Sequence, residues 1–121
     1  MSMIRTVVAV VDDMFFASKI RATAEALAVE IAFPPNRELL LAKVAEKKPD
    51  LIVLDLHNQK VDVLELVRQL KSMEELADVP LLGFFSHVQK ELQQAALAAG
   101  YDQVIPRSVF SRDLAQILTG Q

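Results

Sequence analysis

Continuous apolar runs of strand length alternate along this chain with stretches in which apolar residues recur every three or four positions. A parallel sheet covered by helices on both faces produces that alternation. Thr6 to Val11, Val29 to Phe33, Leu51 to Leu54, Pro80 to Phe85 and the short Val104-Ile105 read as five strands. Between them Phe16, Ile20, Ala24 and Leu27 fall at helical spacing, as do Leu40 and Val44, then Leu64, Val67 and Leu70, then Leu92, Ala95 and Ala99, and finally Leu114, Ile117 and Leu118. Local signals sharpen the boundaries. Pro34-Pro35 stops the second strand, Asn36 caps the helix that Pro49 later ends, and Asp62-Val-Leu-Glu65 has the form of a capped helix start. Ser86-His-Val-Gln89 has the capping-box form as well, and Gly100 suits the left-handed end of its helix.

Two of the predicted strands end in carboxylates: the first runs into Asp12-Asp13 and the third into Asp55. If the strands are neighbours, three acids meet at the carboxyl edge of the sheet, where open α/β folds bind their ligands. Close carboxylates repel, and a bound cation or a retained proton relieves them. Hard oxygen donors at a partly open edge suit Mg²⁺, so the pattern points to magnesium-dependent handling of a phosphoryl group.

Composition narrows the picture without changing it. A length of 121 residues suits one domain with one core, expected over residues 1–121 with no output domain. Apolar residues make up 52% and charged residues 24%, a balance that excludes a disordered chain. The absence of cysteine excludes disulfides and thiolate metal sites. The start, Met1 to Arg5, leads directly into a strand and reads as neither signal peptide nor membrane span, so a cytoplasmic location is the expectation. A net charge of −3 with scattered lysines gives no footprint for nucleic acid.

Over nearly its whole length the sequence resembles the receiver domains of bacterial two-component response regulators. The resemblance rests on the order of elements, on the acidic pair closing Val10-Val11-Asp12-Asp13, on Asp55 and on Ser86 at the end of the fourth strand. It implies a (βα)₅ flavodoxin-like fold, a five-stranded parallel sheet in the order 2-1-3-4-5. It also implies that Asp55 accepts phosphate from a histidine kinase or phosphotransfer protein. Mg²⁺ would be held by Asp12, Asp13, Asp55 and the backbone carbonyl of His57, while Ser86 and Arg107 contact the phosphoryl oxygens. Aspartyl phosphorylation of this kind depends on positioning and neutralised charge. The resemblance further implies a phosphorelay protein that is no enzyme beyond Mg²⁺-dependent self-phosphorylation and autodephosphorylation. It would signal to a downstream protein target or a second copy of itself through a face containing Val88, Leu92, Gln103 and Phe110.

The sequence departs from the family pattern at several points. Arg107 stands where receivers carry lysine, and the proline that usually follows that lysine is missing. Arg keeps the charge but is not interchangeable with Lys at a tight site. Gln59 replaces a proline four residues after Asp55, and β-branched Val63, which resists positive φ, replaces a glycine. His87 replaces a small residue and is positioned to tune access to the site, and Val104 replaces the aromatic switch. A phosphorylation-independent pseudo-receiver acting as a protein-binding module is therefore the alternative.

Each residue also has a structural reading. Asp12 and Asp62 serve as helix caps, Asp55 as a turn residue, Ser86 as a cap with Gln89, Arg107 as a salt-bridge partner of Asp102, and His57 and His87 as exposed loop residues. Among Met14, Phe15 and Phe16 one residue is expected to be exposed beside the site as a partner contact. Rival sites fail on chemistry. A phosphate cradle after the first strand needs glycines and N–H groups where Asp12-Asp13 stand, adjacent Ser86 and His87 are badly placed as nucleophile and base, and Asp55-Leu56-His57 lacks the glycine of cobalamin-binding domains.

Overall fold

A computed structural model describes residues 4–120. Of the start from Met1 to Arg5, which carries the expectation of no signal peptide, Met1 to Met3 lie outside the described residues. The elements are β1 (Thr6–Val10), α1 (Met14–Ala26), β2 (Glu30–Ala32), α2 (Arg37–Glu46), β3 (Leu51–Asp55), α3 (Val63–Ser72), a 3₁₀ turn (Glu74–Leu76), β4 (Leu81–Phe85), α4 (Lys90–Ala99), β5 (Gln103–Pro106), α5 (Arg107–Arg112) and α6 (Leu114–Thr119). All strands pair in parallel in the order β2-β1-β3-β4-β5, as expected. None of the helices is long and apolar enough to cross a membrane, among the described residues.

Strand alternation sorts the apolar residues into two cores. On one side Val8, Val10, Ile52, Leu54 and Leu81 pack against Leu40 and Val44 of α2, Leu66, Val67 and Leu70 of α3, and Ala96 and Ala99 of α4. On the other, Val7, Ala9, Leu51, Val53, Leu82 and Phe84 pack against Phe16, Ile20 and Ala24 of α1, Phe110 of α5, and Leu114 and Leu118 of α6. Each buried side chain of this size contributes about 1.5–3 kcal/mol, so the continuous burial of β1, β3 and β4 is the main driving force for the sheet. Phe16, Phe84 and Phe110 form an aromatic trio, with Phe84 and Phe110 stacked at 4.8 Å and Phe16 edge-on to Phe84 at 5.3 Å.

Caps and strand starts are fixed by side chains. Asn36 accepts from the Leu39 N–H, and Asp62 from those of Leu64 and Glu65, both as predicted. Asp50 and Asp102 each accept from the first residue of a neighbouring strand, at Thr6 and Leu81 respectively.

Four expectations are corrected. Ser86 caps nothing: α4 starts only at Lys90, because the chain uses four residues to clear the sheet edge before turning back, and Gln89 makes no side-chain cap. The cap of α1 is Asp13 rather than Asp12. Asp102 pairs with Lys71 at 2.9 Å, not with Arg107, since the two residues lie at opposite ends of β5, roughly 16 Å apart at about 3.3 Å per extended residue. Phe110 is fully buried against Phe84 and is a core residue, so it cannot belong to a partner face.

Candidate functional site

The carboxyl ends of β1 and β3 adjoin, in the register Val10 to Leu54, and this brings Asp12, Asp13 and Asp55 to one edge of the sheet. Asp55 is the last residue of β3 and is buried. Its Oδ1 accepts the His57 N–H at 2.9 Å. Burial raises the Asp55 pKa above its ordinary value and the charge of Asp12 adds to this, while the His57 hydrogen bond and the positive charge of Arg107 oppose it.

Asp13 has both oxygens committed. Oδ1 accepts the N–H groups of Phe15 and Phe16 at the start of α1, and Oδ2 accepts Nη2 of Arg107 at 3.2 Å. The Phe16 N–H bond, with help from Arg107, holds this carboxyl below the usual range. Arg107, the first residue of α5, lies over the Phe16 ring with Cζ 4.0 Å from its centroid. A cleft of about 580 Å³ opens beside it, lined by Phe15, Phe16, Lys19, Ser86, Arg107, Ser108 and Ser111. Lys19 Nζ donates to Ser111 Oγ across this cleft.

The loop after Asp55 takes a path free of positive φ, as Val63 requires; Ala28 is the one non-glycine residue with positive φ among the described residues. The Asn58 side chain builds the turn by accepting from the N–H groups of Lys60 and Val61. Gln59 then reaches back twice: its backbone N–H donates to Asp12 Oδ2 and its side-chain amide to the His57 carbonyl, each at 3.3 Å. His57 and His87 meet edge to face at 5.6 Å. His57 Nε2 is buried with no hydrogen-bond partner, while His87 is exposed.

Val104 is half-buried against the first core. The neighbouring aromatic is Tyr101, buried, whose hydroxyl donates to the Val63 carbonyl at 3.1 Å. Burial keeps this phenol protonated far above its ordinary range. Of the expected partner face, Val88 and Gln103 are exposed and Leu92 packs against the first core. Two residues rather than one project beside the site, Met14 at 82% and Phe15 at 91% exposure, while Phe16 is core.

The donors expected for Mg²⁺ are present, and several of them are engaged within the protein. Asp13 is shared between a helix cap and a guanidinium, the His57 carbonyl takes the Gln59 amide, and Asp12 takes the Gln59 N–H. Among the described residues no group of three or more His, Asp and Glu side chains is arranged to hold a metal ion. The misfit to the expected metal set lies at Asp13, which has no uncommitted oxygen to offer. Arg107 is the cation paired with Asp13, and it lines the cleft together with Ser86.

Asp55, the acidic pair, Ser86 and Arg107, singled out in the sequence, come to the same sheet edge, whereas the contacts of Gln59, Asn58, Lys19 and Phe16 were not foreseen. Asn58 in a post-strand turn was a visible signal. The stacking of Arg107 on Phe16 joins distant segments and had none.

Three comparisons bear on the fold and the family. A family model described as the response regulator receiver domain matches residues 7–119. The response regulator protein VraR of Staphylococcus aureus is 33% identical over 75 residues, which cover 62% of this chain and 35% of VraR. The matched segment is thus about a third of the length of these curated relatives. Among solved structures, chemotaxis response regulator CheY4 of Vibrio cholerae superposes with a TM-score of 0.83 at 19% identity, covering 98% of both chains. The phosphorylated cyanobacterial phytochrome response regulator RcpA gives 0.80 at 20% identity over 97% of this chain and 90% of its own. Identities this low speak for the fold alone, but with the family model covering almost every element from β1 to α6, the chain belongs to the response regulator receiver domains of two-component signalling.

Proposed function

We propose that this receiver accepts a phosphoryl group on Asp55 and passes the change to a partner protein. The observation that carries the reading is the convergence of a buried strand-end carboxylate, positioned by the His57 N–H, with the Ser86 and Arg107 side of a cleft at the same sheet edge. A carboxylate nucleophile needs the charge of its incoming phosphoryl group offset, and Arg107 supplies a planar cationic fork for that purpose, with the Ser86 hydroxyl bordering the same space.

The donor would be a histidine kinase or phosphotransfer protein, and exposed Met14 and Phe15 offer it apolar surface at the mouth of the site. His57 and His87, which meet edge to face after β3 and β4, would tune access to the site. The output would be a downstream target or a second copy of the chain, meeting the Val88 and Gln103 side; a cytoplasmic location and the absence of nucleic-acid contact accompany this reading.

One feature favours phosphorylation-independent binding instead. Both oxygens of Asp13 and one of Asp12 already have partners in Arg107, the α1 backbone and Gln59, so the acid pair is held in place without a ligand. The test is incubation with acetyl phosphate followed by intact mass measurement. Addition of one phosphoryl group to the wild type and none to Asp55→Asn is the expected result. No addition to either, with both proteins folded, overturns the phosphorylation reading and leaves the docking module.

A further inference from the structure

We propose that the resident cation of this pocket is the Arg107 guanidinium, and that Asp55 takes up its phosphoryl group without a divalent metal. The inference rests on Asp55 being the acceptor, and it concerns what balances the charge there.

The case begins with Asp13. A metal at this edge needs a carboxylate oxygen from it, yet one oxygen holds the start of α1 and the other holds Arg107. Binding a metal there means giving up the cap or the ion pair. The next donor, the His57 carbonyl, already accepts the Gln59 amide, and the same residue's N–H occupies Asp12 Oδ2. Mg²⁺ demands near-ideal octahedral geometry and sheds its water reluctantly, so a pocket in which it must compete with the helix cap or the guanidinium for Asp13 gives it little.

Arg107 is in turn held in place. Its guanidinium stacks on Phe16 at 4.0 Å, and that ring is fixed by Phe84 at 5.3 Å and Phe110 at 5.8 Å. The group has five N–H donors and gives Nη2 to Asp13, so donors remain for phosphoryl oxygens in the cleft that Arg107 lines with Ser86. A guanidinium fork held over an aromatic ring is suited to bidentate phosphate contact, which a lysine in the same place cannot make.

The step balances without a metal. An Asp55 carboxylate oxygen attacks the phosphorus of acetyl phosphate, a new P–O bond forms, the bond to the acetyl oxygen breaks, and acetate leaves as an anion with the electron pair. No proton is required.

Two measurements decide the matter. Phosphorylation by acetyl phosphate, followed by intact mass, is compared in EDTA and in Mg²⁺ for the wild type and Arg107→Ala. The rate in EDTA is expected to equal that in Mg²⁺, and Arg107→Ala is expected to lower both by about a hundredfold, the usual scale for removing one charge-stabilising donor. A rate that appears only with Mg²⁺ overturns the inference and leaves Asp55 as acceptor. Amide NMR titration with Mg²⁺ alone, against a KCl control of equal ionic strength, reads the site directly even where no phosphorylation occurs. Unchanged signals at Asp12, Asp13, Asp55 and His57 support the inference, and saturable shifts there overturn it.

Discussion

Asp55 and Asp13 stand at the same edge of the sheet and respond to pH with opposite signs. Burial raises the Asp55 pKa above 3.8, so the folded chain holds this proton more tightly than the unfolded chain does. Stability from this residue is therefore full below 3.8 and is lost as pH rises through the raised value. Asp55→Asn keeps an acceptor for the His57 N–H and removes the buried charge. It is expected to raise the urea midpoint at neutral pH and to have little effect below 3.8; equal effects at both would show that burial of the charge is not what costs stability. Asp13 does the reverse. Its lowered pKa contributes stability above 3.8 that disappears as pH falls through the folded value, and Asp13→Asn is expected to destabilise at neutral pH and to approach the wild type in acid. The acid pair was legible in the sequence because strand-end carboxylates are local features. The different roles of Asp12 and Asp13 were not, because they depend on which carboxylate faces the α1 N–H groups and which faces Gln59.

At the level of elements, the chain leaves α1 through a position that sequence reading passed over. Ala28 has φ of +57°, and the turn is closed by the Val29 N–H donating to the Ala24 carbonyl at 2.8 Å. A Cβ in this left-handed region costs about 1–2 kcal/mol relative to the right-handed one. Ala28→Gly should accordingly stabilise the protein by about 0.5–1 kcal/mol after the extra backbone entropy of glycine is counted, measured as a higher urea midpoint at unchanged slope. β4 shows the opposite case. Gly83 is ordinary in φ, but a Cβ there would lie 2.9 Å from Leu56 Cδ2 and 3.0 Å from Tyr101 Cε1. The missing side chain is what lets Tyr101 sink beneath the sheet edge and reach the Val63 carbonyl. Gly83→Ala is expected to cost about 1–3 kcal/mol through overpacking, and Tyr101→Phe about 1 kcal/mol through the lost hydrogen bond. Thermal unfolding of both variants checks the pair; a larger loss in Tyr101→Phe than in Gly83→Ala would contradict this order. Periodicity revealed strands and helices well, because burial on alternate or every third to fourth positions is written into residue order. It did not reveal why the β4–α4 turn runs to Lys90, since a Ser-x-x-Gln spacing looks the same whether or not the chain has cleared the sheet.

Across the whole molecule the two cores are unequal in what they control. The core facing α2, α3 and α4 anchors Tyr101 and the loop that follows Asp55, whereas the core facing α1, α5 and α6 carries the aromatic trio on which Arg107 rests. Damage to the two sides should therefore separate stability from site geometry. Phe110→Ala removes the ring stacked on Phe84 and is expected to cost about 3–5 kcal/mol. Leu70→Ala, fully buried in the opposite core, is expected to cost about 2–5 kcal/mol. Only the first loosens the Phe16 ring, and with it the guanidinium paired to Asp13. In amide NMR spectra recorded where both variants remain folded, signals of Asp13, Phe16 and Arg107 should move in Phe110→Ala and stay in place in Leu70→Ala. Movement of the same signals in both would mean that the sheet transmits strain between its faces as one body, and that the cation at the site is set by the whole domain rather than by the aromatic trio beneath it.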